Sequence, residues 1–278
     1  MQVITSIRQI SEACAESHHP LGLVPTMGAL HDGHLSLIRR ARDENRTLAV
    51  TIFVNPTQFG PQEDLAGYPR DQERDLGLLR QEGADLVFVP SPEEMFPPGF
   101  DTWVDLPAIA GLLEGARRTG HFRGVATVVT KLLSLIHPDR AYFGQKDGQQ
   151  AVLIRRLALD LNLGPEIIVV PTVRDGDGLA LSSRNAYLTA DQRKAAPVLY
   201  RALCAAQKLW QEGIADGARL RTEVRGVLEQ EPLVEDIDYV SVADGETLEE
   251  LELVRGRAMV SAAVKIGRPR LIDNIILE

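Results

Sequence analysis

The 278-residue sequence has only two cysteines, Cys14 and Cys204, and no apolar run long enough to cross a membrane. Two cysteines so far apart form no metal-ligand spacing, and we expect a protein of a reducing, cytoplasmic setting. Arg, Asp or Lys interrupts every apolar stretch before it reaches the roughly 18 residues of a membrane span. The N-terminus, MQVITSIRQISEAC, lacks a basic start followed by an apolar stretch, so no secretory signal is expected.

The sequence also lacks an excess of positive charge. Its 30 Lys and Arg residues face 39 Asp and Glu residues, which gives a formal net charge of −9. A nucleic-acid-binding protein normally carries a basic face, so this class is not expected. With 44% hydrophobic and 25% charged residues, the composition is that of an ordinary globular protein. Any anionic ligand must therefore be held by local cations and backbone amides.

Strand and helix patterns alternate along the first part of the chain. Short strand-like runs lie at 21–24, 47–54, 85–89, 141–143 and 167–170, and segments of helical periodicity separate them. The runs at 47–54 and 85–89 are rich in β-branched residues. This order predicts an α/β fold with a doubly wound parallel sheet, a Rossmann-like domain over residues 1–172. Two helical stretches, 191–212 and 216–229, then precede strand-like runs at 237–242, 258–266 and 271–277. We therefore expect a smaller α+β domain over residues 173–278.

The segment LVPTMGALHDGHLSLI carries the clearest chemical signal. A strand runs into a glycine-containing turn, and a helix begins near His34. Free N–H groups at a helix start favour bound phosphate, and Gly28 and Gly33 let a ligand approach the backbone closely. His31 and His34 can donate hydrogen bonds to phosphate oxygens whose charge grows as pyrophosphate departs. The alternative is that both histidines only cap the helix, but the position after a first strand favours a phosphate site.

Two further segments offer groups for phosphate. In GLALSSRNAYL, Ser182, Ser183 and Arg184 supply two hydroxyls and a guanidinium on a glycine-punctuated loop. In DRAYFGQKDGQQ, Lys146 is a point charge for phosphate and Asp147 can accept from ribose hydroxyls. A serine-rich turn and a salt-bridged surface turn are the structural alternatives for these two segments.

Two other segments suggest a substrate site. IFVNPTQFGPQEDLAGYPRD delivers Asn55 and Gln58 to the carboxyl edge of the sheet, where open α/β folds bind ligands. Two neutral amides suit hydroxyls and a carboxylate, although Asn-Pro is also an ordinary turn starter. A basic cluster precedes a buried helix in the segment EGARRTGHFRGVATVV and is a candidate anion site. The alternative interpretation of this segment is a solvated loop. The basic cluster consists of Arg117, Arg118, His121 and Arg123.

Together these segments resemble the pantothenate synthetase (pantoate–β-alanine ligase) family. The resemblance rests on PTMGALHDGH, IFVNPTQFGPQEDLAGYPR, HFRGVATVVTKLL, PDRAYFGQKDGQQ, VPTVRDGDGLALSSRNAYL and RLIDNIILE, which span nearly the whole chain. It implies that ATP and (R)-pantoate form pantoyl adenylate and pyrophosphate, after which β-alanine yields pantothenate and AMP. It also implies Mg²⁺, a homodimer, no nucleic-acid or membrane partner, and a second domain that closes over the active site.

The resemblance carries site residues over by motif. Gln58 and Gln150 are expected to hold pantoate, with Asn55, Arg118 and His121 near the substrate pocket. The catalytic set would be His34, His31, Lys146, Ser182, Ser183 and Arg184. The ATP site would consist of Pro25, Thr26, Met27, Gly28, Ala29, Leu30, His31, Asp32, Gly33, His34, Gly144, Gln145, Lys146, Asp147, Val173, Leu181, Ser182, Ser183 and Arg184.

Three points qualify this assignment. The family often has Glu where this chain has Gln145, and usually an aromatic residue where it has Gly148. We expect these departures to alter kinetics or packing and to leave activity in place. Asp75 is the candidate metal ligand, and the sequence names no base for β-alanine. The alternatives are another adenylyltransferase of the same fold, or a non-catalytic ATP-binding regulator.

Overall fold

A parallel sheet forms the framework of the first structural unit, residues 1–144 together with 153–170. The computed structural model describes residues 1–60 and 65–278. Its strands here are β1 (Gln2–Ile4), β2 (Leu21–Thr26), β3 (Thr47–Ile52), β4 (Leu86–Phe88), β5 (Arg140–Gly144) and β6 (Glu166–Val170). They lie in the order β1–β4–β3–β2–β5–β6, and every described pair is parallel. Every residue of β3 is buried, as expected for a parallel sheet covered on both faces.

Helices follow the strands in this unit and cover the sheet. They are α1 (Ile7–Ala15), α2 (Asp32–Glu44), α3 (Gln72–Gln81), α4 (Pro92–Met95), α5 (Pro107–Ala110), α6 (Leu113–Arg117), α7 (His121–Ile136) and, from residue 153 onward, α8 (Gly148–Asp160). Leu35, Ile38 and Ala41 of α2 are buried against Val24 and Val50 of the central strands. The turn before α2 is thereby held at the carboxyl end of β2, and Asn55 follows the end of β3.

The second unit comprises residues 145–152 and 171–278. It contains α9 (Ala190–Ala195), α10 (Val198–Gln211), α11 (Gly217–Glu229), β7 (Asp236–Asp244), β8 (Ala258–Lys265) and β9 (Arg270–Leu277). The three strands form an antiparallel sheet in the order β7–β8–β9. Leu199, Leu203 and Leu220 of the helices are buried with Val260 and Val264 of β8 in one core.

The predicted fold class, a doubly wound parallel sheet followed by a smaller α+β domain, is confirmed. The helical stretch predicted at 191–212 is wrong in detail, because Pro197 separates α9 from α10. β1 and α1 were not predicted. Residues 145–152 group with the second unit although they lie inside the first in sequence, and no pattern marks this. Within the described residues, no helix is long and apolar enough to span a membrane.

Candidate functional site

The turn between β2 and α2 has a backbone conformation that few residues adopt. Gly28 has a φ of 80° and Ala29 a φ of 51°, both in the left-handed region. Glycine tolerates this region, whereas a residue with a side chain such as Ala29 is strained there. Thr26 supports the turn from the end of β2, because its Oγ1 donates to Thr51 O at 2.7 Å and accepts from Gly28 N at 3.2 Å. The surrounding structure thus imposes the conformation of this turn.

Helix α3 holds the same turn through two adjacent side chains. Asp75 is 1% exposed, and its two carboxylate oxygens accept from Ala29 N at 2.8 Å and Leu30 N at 2.9 Å. Arg74 donates to Leu30 O at 3.1 Å. The backbone of the turn is therefore gripped at two N–H groups and one carbonyl by a segment more than forty residues away in sequence. Hydrogen bonds to a buried carboxylate are among the stronger ones in proteins.

His31 and His34 form a reciprocal cap at the start of α2. His31 Nδ1 accepts from Gly33 N at 3.2 Å, and His34 Nδ1 accepts from His31 N at a longer 3.4 Å. A ring nitrogen that accepts carries no proton, so each neutral imidazole bears its proton on Nε2. The ring centroids are 4.1 Å apart. Helix capping thus accounts for the Nδ1 atom of each ring. The Nε2–H group of each ring is the donor that can bind an anion.

Gln58 lies beside this turn. It belongs to a 3₁₀ helix, Pro56–Gln58, that Asn55 caps by accepting from Thr57 N. Gln58 Nε2 contacts Met27 Sδ at 3.0 Å, and its Oε1 accepts from Asn55 Nδ2 at 3.1 Å. Asn55 Nδ2 also donates to Gly124 O in α7 at 3.2 Å. The structure therefore brings Asn55 and Gln58 into one cluster with Met27, as the motifs suggested.

Two residues of the basic cluster join the same group. His121 Nδ1 lies 2.8 Å from Gln58 O, and His121 Nε2 lies 2.9 Å from Arg118 Nη1. A carbonyl only accepts and a guanidinium only donates, so Nδ1 bears the proton and Nε2 is the acceptor. His121 is 8% exposed. The neutral ring thus links the Arg118 guanidinium to the backbone of Gln58.

Gly124 explains how α7 approaches the Asn55–Gln58 segment so closely. A Cβ at position 124 would lie 2.3 Å from Thr57 O and 2.7 Å from Gln58 N. Both are backbone atoms, which cannot rotate away. Only glycine allows this approach, and the substrate-site prediction did not include it. The signal was present in the sequence, since an isolated glycine within a helical pattern usually has a packing reason.

In the second unit, one small cavity brings together Lys146, Ser182 and Arg184. Lys146 follows β5 in the 3₁₀ helix Gln145–Asp147, and its side chain is 18% exposed. Ser182 Oγ accepts from Arg184 N at 3.3 Å and caps the short helix Ser183–Tyr187. The cations and the hydroxyl that line this cavity are groups that can bind phosphate oxygens. Arg270 of β9 also lines this cavity.

Ion pairs secure the approach to the serine-rich loop. Arg193 of α9 binds Asp175 at 2.7 Å and Asp177 at 2.6 Å. The hydrogen bond from Arg193 keeps the pKa of the Asp177 carboxyl below its usual value. Leu181 N donates to Val173 O at 3.0 Å, so the two sides of the loop are joined by backbone as well. The glycine-punctuated segment is thus held at several points.

The predicted site residues fall into two sets. The first unit holds Pro25 to His34, Asn55, Gln58, Asp75, Arg118, His121 and Gly144. The second unit holds Gln145, Lys146, Asp147, Gln150, Val173 and Leu181 to Arg184. Within each unit the structure clusters the residues described above. Residues 61–64 of the Asn55 motif lie outside the described residues.

The metal prediction at Asp75 gains no support from this geometry. Its carboxylate is buried and both oxygens accept backbone N–H groups, which favours a role in holding the turn. Over residues 1–60 and 65–278, no cluster of three His, Cys, Asp or Glu side chains could hold a metal ion. The hydrogen bonds of Asp75 position the Ala29–Leu30 backbone, and its role as a metal ligand stays a prediction.

Comparisons with known proteins identify the family of this chain. The family model described as Pantoate-beta-alanine ligase matches residues 1–276. The chain is 59% identical over the full length of both chains to a pantothenate synthetase of Roseiflexus sp. (strain RS-1), and 56% identical to that of Chloroflexus aurantiacus (strain J-10-fl), covering 100% and 99% of the two chains. A crystal structure of pantothenate synthetase from Thermus thermophilus matches with a TM-score of 0.94 at 46% identity, covering 99% of each chain.

A second solved structure carries ligands. The pantoate-beta-alanine ligase from Francisella tularensis, complexed with "Beta-gamma ATP and Beta-alanine", matches with a TM-score of 0.79 at 35% identity. The match covers 99% of this chain and 97% of that one. Family model, relatives and solved structures agree over essentially the whole length. The chain therefore belongs to the pantoate–beta-alanine ligase family and is a ligase.

Proposed function

We propose that this chain condenses (R)-pantoate with β-alanine to pantothenate, consumes ATP, and forms a pantoyl adenylate on the way. The observation that carries the proposal is the cluster in the first unit. There Gln58 contacts Met27, which precedes the constrained turn that leads into the two-histidine helix start of α2. The backbone carbonyl of Gln58 contacts His121, which in turn contacts Arg118. Membership of the ligase family and the ATP- and β-alanine-bound relative from Francisella tularensis support the choice of substrates.

In the first step, a pantoate carboxylate oxygen attacks the α-phosphorus of ATP. The bond from the α-phosphorus to the bridging oxygen breaks, and pyrophosphate leaves with the electron pair. No protein nucleophile is needed, so positioning and charge stabilisation are the main tasks. We assign the Nε2–H groups of His31 and His34 and the N–H groups at the start of α2 to phosphate oxygens. Lys146 and Arg184 would offset the remaining charge.

Pantoate needs partners for its hydroxyls and carboxylate. Gln58 and Asn55 offer amides beside Met27, and Gln150 is assigned to the same substrate. In the second step, the amine of β-alanine attacks the acyl carbon of the adenylate. The carbon–oxygen bond to AMP breaks, the amide forms, and the amine gives up its proton. Neutral amides recognise the hydroxyls of pantoate without adding charge to a pocket that already holds a triphosphate.

Mg²⁺ is expected to arrive with ATP. In phosphate-transfer sites this cation binds mainly substrate phosphates and water with one or two carboxylates. When bound, Mg²⁺ would offset the negative charge of the phosphates. A homodimer and a closing second domain remain predictions.

A product assay with matched variants tests the proposal. The protein is incubated with ATP, (R)-pantoate and β-alanine, and AMP and pantothenate are measured. Both products are expected in equal amounts, with pyrophosphate release dependent on pantoate. His34→Ala should lower turnover by about 10²-fold or more, the usual range for removing one preorganised donor. His18→Ala, at an exposed histidine outside the turn, should be normal.

The outcomes separate the alternatives. If pantoate yields neither product, the proposal fails, and transfer of AMP to another acceptor would identify a different adenylyltransferase. ATP binding without any pyrophosphate release would identify a non-catalytic ATP-binding regulator. Normal turnover in His34→Ala would remove His34 from the mechanism while leaving the reaction itself in place.

A further inference from the structure

The closing motif RLIDNIILE has no chemical role in the proposal so far, yet two of its polar residues are buried on β9. Asp273 is 3% exposed and Asn274 is 4% exposed. Burying polar side chains is unfavourable unless their hydrogen-bonding groups are satisfied. Adjacent residues of a strand point to opposite faces, so these two side chains can serve different partners. Their partners are the two phosphate-binding segments of the second unit.

Asn274 holds the backbone that carries Lys146. Its Nδ2 donates one proton to Gln145 O at 2.9 Å and the other to Lys146 O at 3.0 Å. Its Oδ1 accepts from Gln145 Nε2 at 2.5 Å. Two carbonyls and one side chain of the 3₁₀ turn Gln145–Asp147 are thus fixed by a single amide. Fixed carbonyl orientations restrict the backbone dihedrals of the turn, and these set the direction in which the Lys146 side chain leaves the backbone.

Gly148 makes room for this amide. A Cβ at position 148 would lie 2.9 Å from Asn274 Nδ2 and 2.6 Å from Met259 Sδ. Both residues that depart from the family pattern are therefore related to Asn274. Gln145 forms a hydrogen bond with it, and Gly148 leaves room for its side chain. In this chain Gln145 supplies the donor that Asn274 Oδ1 accepts. A carboxylate at position 145 would offer no such donor.

Asp273 holds the base of the serine-rich loop. Its carboxylate accepts two hydrogen bonds from Arg174, at 2.5 and 3.0 Å. Arg174 also donates to Gly178 O at 3.2 Å and stacks on Tyr200 at 3.7 Å from the ring centroid. Strand β9 therefore connects to both segments that line the Lys146 cavity. Asp273 binds Arg174, which precedes the serine-rich loop, and Asn274 binds the backbone of the turn that carries Lys146.

We propose that Asn274 is a positioning residue for Lys146, directing the ammonium group to the ATP phosphates through the carbonyls of Gln145 and Lys146. The inference rests on the proposed function, since it assigns Lys146 to phosphate. Asn274 does not touch the substrate in this account. Its effect on catalysis passes through the 3₁₀ turn, and it should disappear when the Lys146 ammonium is removed.

Asn274→Asp tests this with little change in volume. The variant keeps the oxygen that accepts from Gln145 but loses both donors to the carbonyls. Ser261→Ala is the matched control, because Ser261 pairs with Asn274 across β8 and β9, is 4% exposed, and its Oγ has no hydrogen-bond partner among the described residues. Kinetics are measured well below the melting temperature of each variant, so that unfolded protein does not lower the measured rates.

Asn274→Asp should lower kcat/KM for ATP roughly 10-fold or more, since two buried hydrogen bonds are lost. Ser261→Ala should stay within about 2-fold of the unmodified protein. The same Asn274→Asp substitution is then made in a Lys146→Gln background, with single-turnover AMP formation as the readout. There it should change the rate less than about 3-fold, because the group that it positions is already absent.

Equal losses in the two backgrounds would overturn the proposal, as would an Asn274→Asp variant with normal kcat/KM. A variant that melts earlier but keeps its kinetics would show a purely structural role and would overturn it as well. If the unmodified protein forms no AMP from ATP and pantoate, the proposed function fails instead. The two failures are therefore distinguishable in one set of assays.

Discussion

Replacing Asp75 by Asn tests the idea that α3 maintains the turn between β2 and α2, to which we assign ATP phosphates. The carboxylate accepts two backbone N–H groups, from Ala29 and Leu30, in a buried position. Asn keeps one acceptor, but its NH₂ group faces the second N–H and leaves it unsatisfied. Losing one charge-assisted hydrogen bond and burying one orphan donor costs about 2–4 kcal/mol. For a chain of this size that corresponds to a fall in melting temperature of roughly 3–7 °C.

The effect should reach the substrate through the turn. Gly28 and Ala29 hold left-handed conformations that their surroundings impose, so a weaker grip allows the turn to relax. We expect a raised KM for ATP together with lower kcat, measured by AMP formation. Melting is followed without ATP or metal, because a residue that acted only as a metal ligand would not change stability there. Asp43→Asn, on α2 away from the turn, is the matched control.

A clear result would refute this reasoning. If Asp75→Asn melts within about 1 °C of the unmodified protein, the two hydrogen bonds do not stabilise the turn as calculated. If melting falls but KM for ATP is unchanged, the turn does not contact ATP. If only the affinity for MgATP changes, Asp75 is a metal ligand, as the sequence suggested.

Three further predictions concern groups around the site and in the core. Gly124→Ala should destabilise the protein by about 1–3 kcal/mol and raise KM for pantoate, because the new Cβ would clash with Thr57 O and displace the neighbouring Gln58. Urea unfolding measures the first effect and steady-state kinetics the second. Burial raises the pKa of Tyr142 to about 12. The contribution of the protonated Tyr142 to the free energy of unfolding should therefore be complete below the ordinary tyrosine pKa and should fall as the pH rises towards 12. Unfolding curves of Tyr142→Phe should lack this dependence on pH. Burial raises the pKa of the Cys14 thiol to about 11, so iodoacetamide at mildly alkaline pH should leave the folded protein unmodified at this residue. Denatured protein should be modified there, and peptide mass mapping distinguishes the two results.

Local patterns were enough to predict the parallel sheet. β2 is recognisable as a short apolar run and β3 as a run rich in β-branched residues. The periodic residues of α2 follow a glycine turn. Short elements were harder. β1 has only three residues, two of them exposed, so no alternation marks it. Pro197 was placed inside one predicted helix, although proline removes a backbone donor and ends such a segment.

The candidate site was predicted only as far as its motifs extend. His31, His34 and Gln58 lie in segments whose residue types suggest phosphate and substrate binding. The supporting residues are different, because Asp75 and Asn274 act over 45 and 128 residues of sequence through backbone atoms. No local pattern encodes a contact of that length. A motif names the groups that touch a ligand, and only the folded chain reveals what holds them in place.

The central claim is the adenylate intermediate, and one isotope measurement tests it most directly. Pantoate labelled with ¹⁸O in its carboxylate is incubated with ATP, β-alanine and the enzyme, and the AMP formed is analysed by mass spectrometry. If the carboxylate attacks the α-phosphorus, one carboxylate oxygen stays with AMP when β-alanine attacks the acyl carbon. The account therefore predicts AMP carrying a single ¹⁸O. Unlabelled AMP, or ADP accompanied by labelled inorganic phosphate, would contradict it.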